Sequence, residues 1–277
     1  MAKDKPNLHS IRAPESSDSA DSRSSASENS HDRPQTKGIY VLPNLFTTAG
    51  LFAGFYAIMQ ARVGHFEAAC LAIYAAMIMD IIDGRLARLT NTMSEFGSQY
   101  DSMSDMVSFG VAPALLLYNY ALLDLGKLGS FIAFIFIACA AIRLARFNVA
   151  STTDKKFFTG VPSPGAAAML ATVVWVLVDY DLQSQQWAPL LAVLMVLLAL
   201  AMVSNIKYRS FKDVEFREQM PFIGLILLVI VMAVIYIDPP LAFLIIGSVY
   251  IFGGASIYGY KKIKKVLRNR EDSNWLS

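Results

Sequence analysis

The stretch from Met79 to Val107 reads MDIIDGRLARLTNTMSEFGSQYDSMSDMV and lies between two long apolar runs. Its four aspartates are Asp80, Asp83, Asp101 and Asp105. Clustered carboxylates repel one another, and near a bilayer they are also costly to desolvate, so they need protons or bound cations. The stretch therefore predicts a functional site, around which the rest of the chain can be placed.

The sequence on both sides is that of a membrane protein. Of its 277 residues, 55% are hydrophobic and 17% are charged, whereas a soluble domain is about 45–50% apolar and about 25% charged. The excess lies in runs of roughly 20 residues, the length at which a helix crosses a bilayer. We expect an all-α polytopic membrane protein with about eight transmembrane helices. The predicted spans are residues 40–62, 66–89, 97–123, 130–147, 164–178, 187–204, 221–237 and 241–260.

These spans divide the chain into four segments. Residues 1–38 form a tail rich in Ser and charged residues, which has too little apolar surface to fold and is expected to be disordered. Residues 39–212 hold six spans, residues 213–262 hold two more, and residues 263–277 form a basic tail. Lys and Arg concentrate in both tails and after spans four and six, which predicts a cytoplasmic location for both termini and for the acidic stretch.

Helical spacing arranges the acidic stretch into two facing stripes. The second predicted helix carries one stripe at intervals of four residues, with Asp83 one step away: Asp80, Gly84 and Arg88. The third helix carries the other: Gly97, Asp101 and Asp105. Because the two helices are antiparallel, the stripes bring four carboxylates together. Ligands that are all oxygen favour Mg²⁺, Mn²⁺ or Ca²⁺, and four carboxylates suit a pair of ions of the kind that assists phosphoryl transfer.

Each of these residue types also has a simpler explanation. Aspartates near helix ends often interact only with the helix dipole, and glycines in membrane helices often serve only helix packing. The repetition of acids and glycines in register on two helices favours a site. There, Gly84 and Gly97 would leave room for a bulky ligand, and Arg88 could bind a phosphate.

At these residues the chain resembles the CDP-alcohol phosphotransferase family, whose motif is met at every position of Asp80-x-x-Asp83-Gly84-x-x-Ala87-Arg88, eight residues, Gly97, three residues, Asp101, three residues, Asp105. The resemblance implies a membrane enzyme with a six-helix catalytic core, here residues 39–212, that displaces CMP from a CDP-linked substrate with an alcohol. It implies a pair of divalent ions, Mg²⁺ or Mn²⁺, on the four aspartates, and Asp105 as the general base. The residues that it implies for contact with the CDP-lipid are Asn44, Thr47, Gly84, Arg88 and Gly97.

The acceptor alcohol depends on residues outside this motif. Arg143 and Arg146 lie three residues apart at the end of span four, with Asn148 close by. These three side chains could hold a carboxylate or a phosphate, although arginines at a helix end often serve only as interface anchors. Four segments resemble the phosphatidylserine synthase branch of the family: residues 43–47, 143–148, 158–164 and 204–212. This resemblance implies CDP-diacylglycerol and L-serine as substrates, phosphatidylserine and CMP as products, and a homodimer among membrane lipids with no nucleic-acid partner.

Besides a metal-dependent nucleotide- or lipid-binding scaffold without turnover, which is disfavoured because no catalytic position is missing, two alternatives stay open at this point. The first is the same transfer to glycerol 3-phosphate or inositol phosphate, whose phosphate would also suit two arginines. The second is a non-catalytic ion transporter, which predicts acids near the middle of spans and inverted repeats. The acids here lie toward one end of their spans and no repeat is visible, which disfavours a transporter. The last two spans contain no ionisable residue of note and are expected to be scaffold.

Overall fold

The computed structural model describes residues 41–90, 92, 94–150, 160–204, 222–251 and 253. Helices account for almost all of these residues, and none of them forms a strand. The two predicted tails, residues 1–38 and 263–277, lie outside the described residues. So do most of the basic segments after spans four and six and the predicted boundary between residues 212 and 213.

Eight helices occur in the described residues, in agreement with the all-helical prediction. Their bounds match the predicted spans to within a few residues, and the predicted end of the last span lies outside the described part. The helices are α1 (Val41–Arg62), α2 (Phe66–Leu89), α3 (Glu95–Leu125), α4 (Lys127–Ala150), α5 (Ser163–Asp179), α6 (Ser184–Val203), α7 (Phe222–Ile237) and α8 (Pro239–Ile251).

Four of these helices, α1, α3, α4 and α6, are long and apolar enough to cross a membrane. Helix α2 has 24 residues, but charged side chains are concentrated in its second half. Helices α5 and α7 have 17 and 16 residues, which at 1.5 Å per residue gives about 24–26 Å, less than the hydrocarbon thickness of about 30 Å. Helices of this kind indicate an integral membrane protein. Eight membrane-spanning helices were predicted. The other four of them are not identified as membrane-spanning by length and composition alone.

The long helix α3 lies at the centre of the bundle. In its apolar part 56% of the residues are buried, against 28% in α1. Its fully buried side chains include Leu116, Leu117 and Leu122. The outer helices expose large apolar side chains such as Phe52 and Phe134, as expected for surfaces that face lipid. The core is therefore built around the helix that carries Asp101 and Asp105.

Helix α3 is not uniformly α-helical. The segments Met106–Val111 and Tyr118–Leu122 are π-helical. Pro113 follows the first of them, and a proline interrupts the regular ladder because it has no N–H and its ring clashes with the carbonyl four residues earlier. The first widened segment begins directly after Asp105, and π segments of this kind frequently accompany functional sites.

Two glycines allow α1 to approach α3 closely. The Ser108 hydroxyl donates a hydrogen bond to the Gly50 carbonyl at 3.1 Å. A Cβ atom on Gly54 would lie 2.4 Å from Ser108 Oγ and 2.8 Å from Ser108 Cα. One turn earlier on α3, the Ser104 hydroxyl donates to the Thr47 carbonyl at 3.2 Å. The backbone of α1 is thus held directly against the N-terminal half of α3.

Candidate active site

Three carboxylates meet where the C-terminal half of α2 faces the N-terminal half of α3. One carboxylate oxygen from each of Asp80, Asp101 and Asp105 lies within 4.8 Å of the other two. Like charges at this distance repel, so all three groups can be ionised together only if a cation lies among them. The donor atoms are all oxygen, which fits a hard divalent ion. The predicted acid cluster is therefore formed, and its chemistry is that of a metal site.

Asp83 lies beside this triad in a different environment. It is only 4% exposed, and its Oδ2 accepts a hydrogen bond from Thr47 Oγ1 at 2.7 Å. It lines the same small cleft as the three acids, but it is not one of the three carboxylates that lie within 4.8 Å of one another. Its role as a metal ligand stays a prediction, and the contact with Thr47 fixes its orientation.

A cavity of about 340 Å³ opens next to the acids. Asp83 and Asp101 line it, so it is continuous with the acidic cleft. The cavity wall also includes all five residues that the sequence predicts to contact the CDP-lipid: Asn44, Thr47, Gly84, Arg88 and Gly97. The structure thus brings together residues from α1, α2 and α3, although their contact with a ligand stays a prediction.

Two glycines shape this cavity. A Cβ atom on Gly84 would meet only Arg88 Nη2, at 3.7 Å, so the wall beside Arg88 is open. Arg88 Nε donates to the Gly84 carbonyl at 2.7 Å, which holds the guanidinium on the wall. A Cβ atom on Gly97 would lie 3.1 Å from Ser94 Oγ and 3.4 Å from Asn44 Oδ1. Since Ser94 Oγ also accepts the Gly97 N–H at 2.9 Å, Gly97 allows the capped start of α3 to lie against α1.

Arg143, the first predicted acceptor residue, lies close to the acids. Its guanidinium is half-buried, and Nη1 donates to Ser163 Oγ at the start of α5, at 2.6 Å. The positive charge of Arg143 acts on Asp105, the predicted general base. A cationic group and a candidate base are therefore neighbours at one side of the acid cluster.

The other two predicted acceptor residues, Asn148 and Arg146, lie in different surroundings. Asn148 Oδ1 accepts a hydrogen bond from Ser102 Oγ at 3.1 Å, which places this amide beside the residue that follows Asp101. Arg146 is exposed. The structure therefore places Arg143 and Asn148 against α3, whereas Arg146 lies at the surface of α4.

Three residues of this region escaped the sequence prediction. Ser163, the partner of Arg143, is fully buried, and its place in the segment 158–164, which resembles the phosphatidylserine synthase branch, was the signal for it. Phe147 lines the 340 Å³ cavity from α4. Tyr250 of α8 interacts electrostatically with Arg143, and nothing in the local sequence of α8 indicates this contact.

A protein-family model described as CDP-alcohol phosphatidyltransferase matches residues 40–206, more than half of the chain. The chain belongs to this family. The matched region of this CDP-alcohol phosphatidyltransferase takes in helices α1 to α6 and every predicted site residue. It leaves out α7 and α8.

Relatives extend the similarity beyond this core. A CDP-diacylglycerol–serine O-phosphatidyltransferase from Helicobacter pylori is 34% identical over 85% of this chain and 98% of its own length. An archaetidylserine synthase from Methanothermobacter thermautotrophicus is 33% identical over 60% of this chain and 69% of its own. Among solved structures, a Mycobacterium tuberculosis phosphatidylinositol phosphate synthase with CDP-DAG bound covers 60% of this chain and 80% of its own at 22% identity. Its TM-score of 0.42 is too low to carry an argument.

Proposed function

We propose that this enzyme transfers the phosphatidyl group of CDP-diacylglycerol to the hydroxyl of L-serine, giving phosphatidylserine and CMP. The observation that carries the proposal is the similarity to a CDP-diacylglycerol–serine O-phosphatidyltransferase over 85% of this chain and 98% of that enzyme. The archaeal relative, an archaetidylserine synthase, is likewise named for a product that contains serine. The arrangement of acids, cavity and Arg143 suits the same reaction.

The acid cluster would hold the metal. Asp80, Asp101 and Asp105, with Asp83 beside them, are the residues that would bind one or two divalent ions, Mg²⁺ or Mn²⁺. When bound, such ions neutralise the diphosphate and the charge that develops on the departing CMP. The hydrogen bond from Thr47 keeps Asp83 in one orientation at the edge of the cluster.

The cavity beside the acids would hold the CDP portion of the lipid. Arg88 on its wall carries a planar guanidinium that can pair with a phosphate through two parallel hydrogen bonds. Gly84 leaves open space next to that guanidinium, so the diphosphate can lie against the helix backbone. The acyl chains stay in the bilayer, alongside the exposed apolar side chains of the outer helices.

Asp105 and Arg143 would act on the acceptor. The guanidinium of Arg143 binds the serine carboxylate, which directs the serine hydroxyl toward Asp105, and the Asn148 amide supports this position. Asp105 accepts the hydroxyl proton as the serine oxygen attacks the phosphorus that bears diacylglycerol. A new phosphorus–oxygen bond forms to serine, the bond to CMP breaks, and CMP leaves with the electron pair.

The charge at this position favours serine over acceptors that carry a phosphate. Among the described residues, Arg143 is the cation that acts on Asp105. One half-buried guanidinium balances the single carboxylate of serine. The doubly charged phosphate of glycerol 3-phosphate or inositol phosphate would be left only partly compensated.

The proposal includes a topology. All eight helices cross the cell membrane, which is the inner or plasma membrane if the source is bacterial. Both termini and the active site face the cytoplasm, and two copies form a homodimer. The concentration of Lys and Arg in segments on one side of the helices supports the orientation. The homodimer rests on the family resemblance.

An acceptor panel tests the proposed function. Purified protein with CDP-diacylglycerol is given L-serine, glycerol 3-phosphate, inositol phosphate or no acceptor, and the release of CMP is measured. We expect release with L-serine only, its loss on addition of a chelator, and its return with excess Mg²⁺ or Mn²⁺. Faster release with either phosphorylated acceptor would contradict the serine assignment.

A further inference from the structure

Helix α8 lies outside the region that matches the family model, yet it packs on the helices of the core. Its Phe243 stacks on an aromatic ring of α2, with ring centroids 5.1 Å apart. A Cβ atom on Gly247 would lie 3.4 Å from the sulfur of Met169 in α5. One turn further on, the ring of Tyr250 lies 3.7 Å from the position of a Cβ atom on Gly165. Phe243, Gly247 and Tyr250 are four and three positions apart, so they lie on one face of α8. This face packs along α5, and Tyr250 lies at its end nearest the active site.

This packing places Tyr250 in the neighbourhood of the acceptor residues. Gly165, which its ring approaches, lies two positions after Ser163. Ser163 is the residue that accepts the hydrogen bond from Arg143. The charge of Arg143 in turn acts on both Asp105 and Tyr250. A phenol from the last described helix is therefore a neighbour of the guanidinium that acts on the proposed general base.

Arg143 also has an unsatisfied donor at this place. A guanidinium offers five N–H groups. One of its terminal nitrogens binds Ser163, but Nε is buried and has no hydrogen-bond partner among the residues that the structure describes. Buried donors without partners are rare in proteins, so this group needs an explanation. An anionic group held between Arg143 and Tyr250 would supply one.

We propose that Tyr250 is a specificity-determining residue of the acceptor site, whose hydroxyl donates a hydrogen bond to the carboxylate of an amino-acid acceptor bound at Arg143. The hydrogen bond to Ser163 Oγ holds one end of the guanidinium in place. The inference rests on the proposed function, since it takes the acceptor to be an amino acid. It assigns to α8 a part in acceptor selection that the family core, residues 40–206, does not contain.

The test uses the full-length enzyme and the Tyr250→Phe variant, which keeps the ring and loses only the hydroxyl. Initial rates of CMP release are measured against L-serine and, separately, against CDP-diacylglycerol. We expect the KM for L-serine to rise about tenfold, the scale of one lost hydrogen bond to a charged group, with kcat and the KM for CDP-diacylglycerol within about twofold of wild type. Tyr236→Phe is the matched control, because Tyr236 of α7 is 89% exposed, and it should change neither KM.

A second variant changes the α5 side chain that contacts Arg143. Ser163→Ala removes the hydroxyl that holds Arg143, so it should also raise the KM for L-serine and leave that for CDP-diacylglycerol unchanged. Thermal unfolding of both variants checks that they fold.

The possible outcomes separate the inference from the proposed function. If wild-type enzyme uses L-serine and folded Tyr250→Phe keeps its KM for L-serine, the inference alone is wrong. It is also wrong if Tyr250→Phe impairs use of both substrates equally, since that indicates a structural role. If wild-type enzyme does not use L-serine, the proposed function fails and the inference fails with it.

Discussion

At the end of the bundle away from the acids, hydrogen bonds link the connections between helices to one another and to α3. Tyr180 Oη donates to Asp238 Oδ2 at 2.5 Å, and Tyr120 Oη donates to the Leu182 carbonyl at 3.0 Å. At the opposite end, three carboxylates approach one another, and Arg143 has a buried donor without a partner in the described part of the chain. The first end is joined by internal hydrogen bonds, whereas the second holds like charges and a buried donor that a cation and an anionic substrate group would compensate.

This difference separates stability from function along the same helices. Internal hydrogen bonds between connections stabilise the folded chain, while groups that lack partners favour binding of ions and ligands. Changes to the acids and to Arg143 should therefore alter activity and leave the fold intact. Changes at the opposite end should alter stability and leave activity intact.

Loss of Asp105 should have the largest effect on activity. Asp105→Asn removes the proposed base and one carboxylate of the triad, so CMP release should fall about 10³-fold or more, since a general base alone contributes about 10²–10⁴. Asp124→Asn is the matched control, because Asp124 is exposed at the other end of α3, and it should keep wild-type turnover. A folded Asp105→Asn enzyme with a rate close to wild type would disprove the base assignment.

A change in the packing of α1 on α3 should have the next largest effect, and we expect this effect on the stability of the protein. A Cβ atom on Gly54 would overlap Ser108, including its Cα, so Gly54→Ala should destabilise the protein by about 1–3 kcal/mol. Gly84→Ala has only Arg88 Nη2 within 4 Å, and we expect it to keep the fold and raise the KM for CDP-diacylglycerol. Thermal unfolding and substrate kinetics of the two variants measure this contrast. Equal stability of both would show that α1 and α3 are not in close contact.

Two matched arginine variants should separate the two sides of the active site. Lys keeps the charge of Arg but loses its planar fork. Arg88→Lys should raise the KM for CDP-diacylglycerol about tenfold, and Arg143→Lys should do the same for L-serine, each leaving the other KM nearly unchanged. If both variants raised the same KM, the cavity beside Arg88 and the site beside Arg143 would not bind separate substrates.

The smallest effect is expected at the end away from the acids. The hydrogen bond between Tyr180 and Asp238 raises the pKa of Tyr180 and lowers the pKa of Asp238. The lowered pKa of Asp238 contributes stability above the unfolded value of about 4, which is lost as the pH falls through the folded pKa. The raised pKa of Tyr180 contributes stability below the unfolded value of about 10, which is lost as the pH rises through its folded pKa.

The test for this pair is a series of Tm measurements on wild type and Tyr180→Phe. The variant should have a slightly lower Tm at neutral pH, and the difference should shrink as the pH falls below about 4. Turnover at neutral pH should not change. A Tm difference that stays constant as the pH falls below about 4 would show that the hydrogen bond is not its source.

Much of the fold and of the acid cluster could be predicted from the sequence because the signals are local. Helix α2 begins and ends at the predicted residues, Phe66 and Leu89, since a polar turn precedes it and threonines follow it. Likewise, Asp101 and Asp105 share a helix face through their spacing alone, and an antiparallel neighbour is enough to bring Asp80 to them.

The contacts that could not be predicted from the sequence depend on how helices far apart in the chain pack together. The contact of Thr47 with Asp83 joins residues 36 positions apart, and no local pattern in the sequence indicates it. Tyr250 comes near Arg143 because α8 packs along α5, so the local sequence gives no signal for the part that we propose for this helix. The π-helical turns after Asp105 likewise depend on packing as well as on Pro113.

The most direct test of the central claim follows the oxygen of the acceptor. Purified enzyme is given CDP-diacylglycerol and L-serine labelled with ¹⁸O in its hydroxyl, and both products are analysed by mass spectrometry. If the serine oxygen attacks the lipid-linked phosphorus, phosphatidylserine retains the ¹⁸O and CMP appears unlabelled in equal amount. Unlabelled phosphatidylserine, labelled CMP, or CMP release that does not depend on serine would contradict the account.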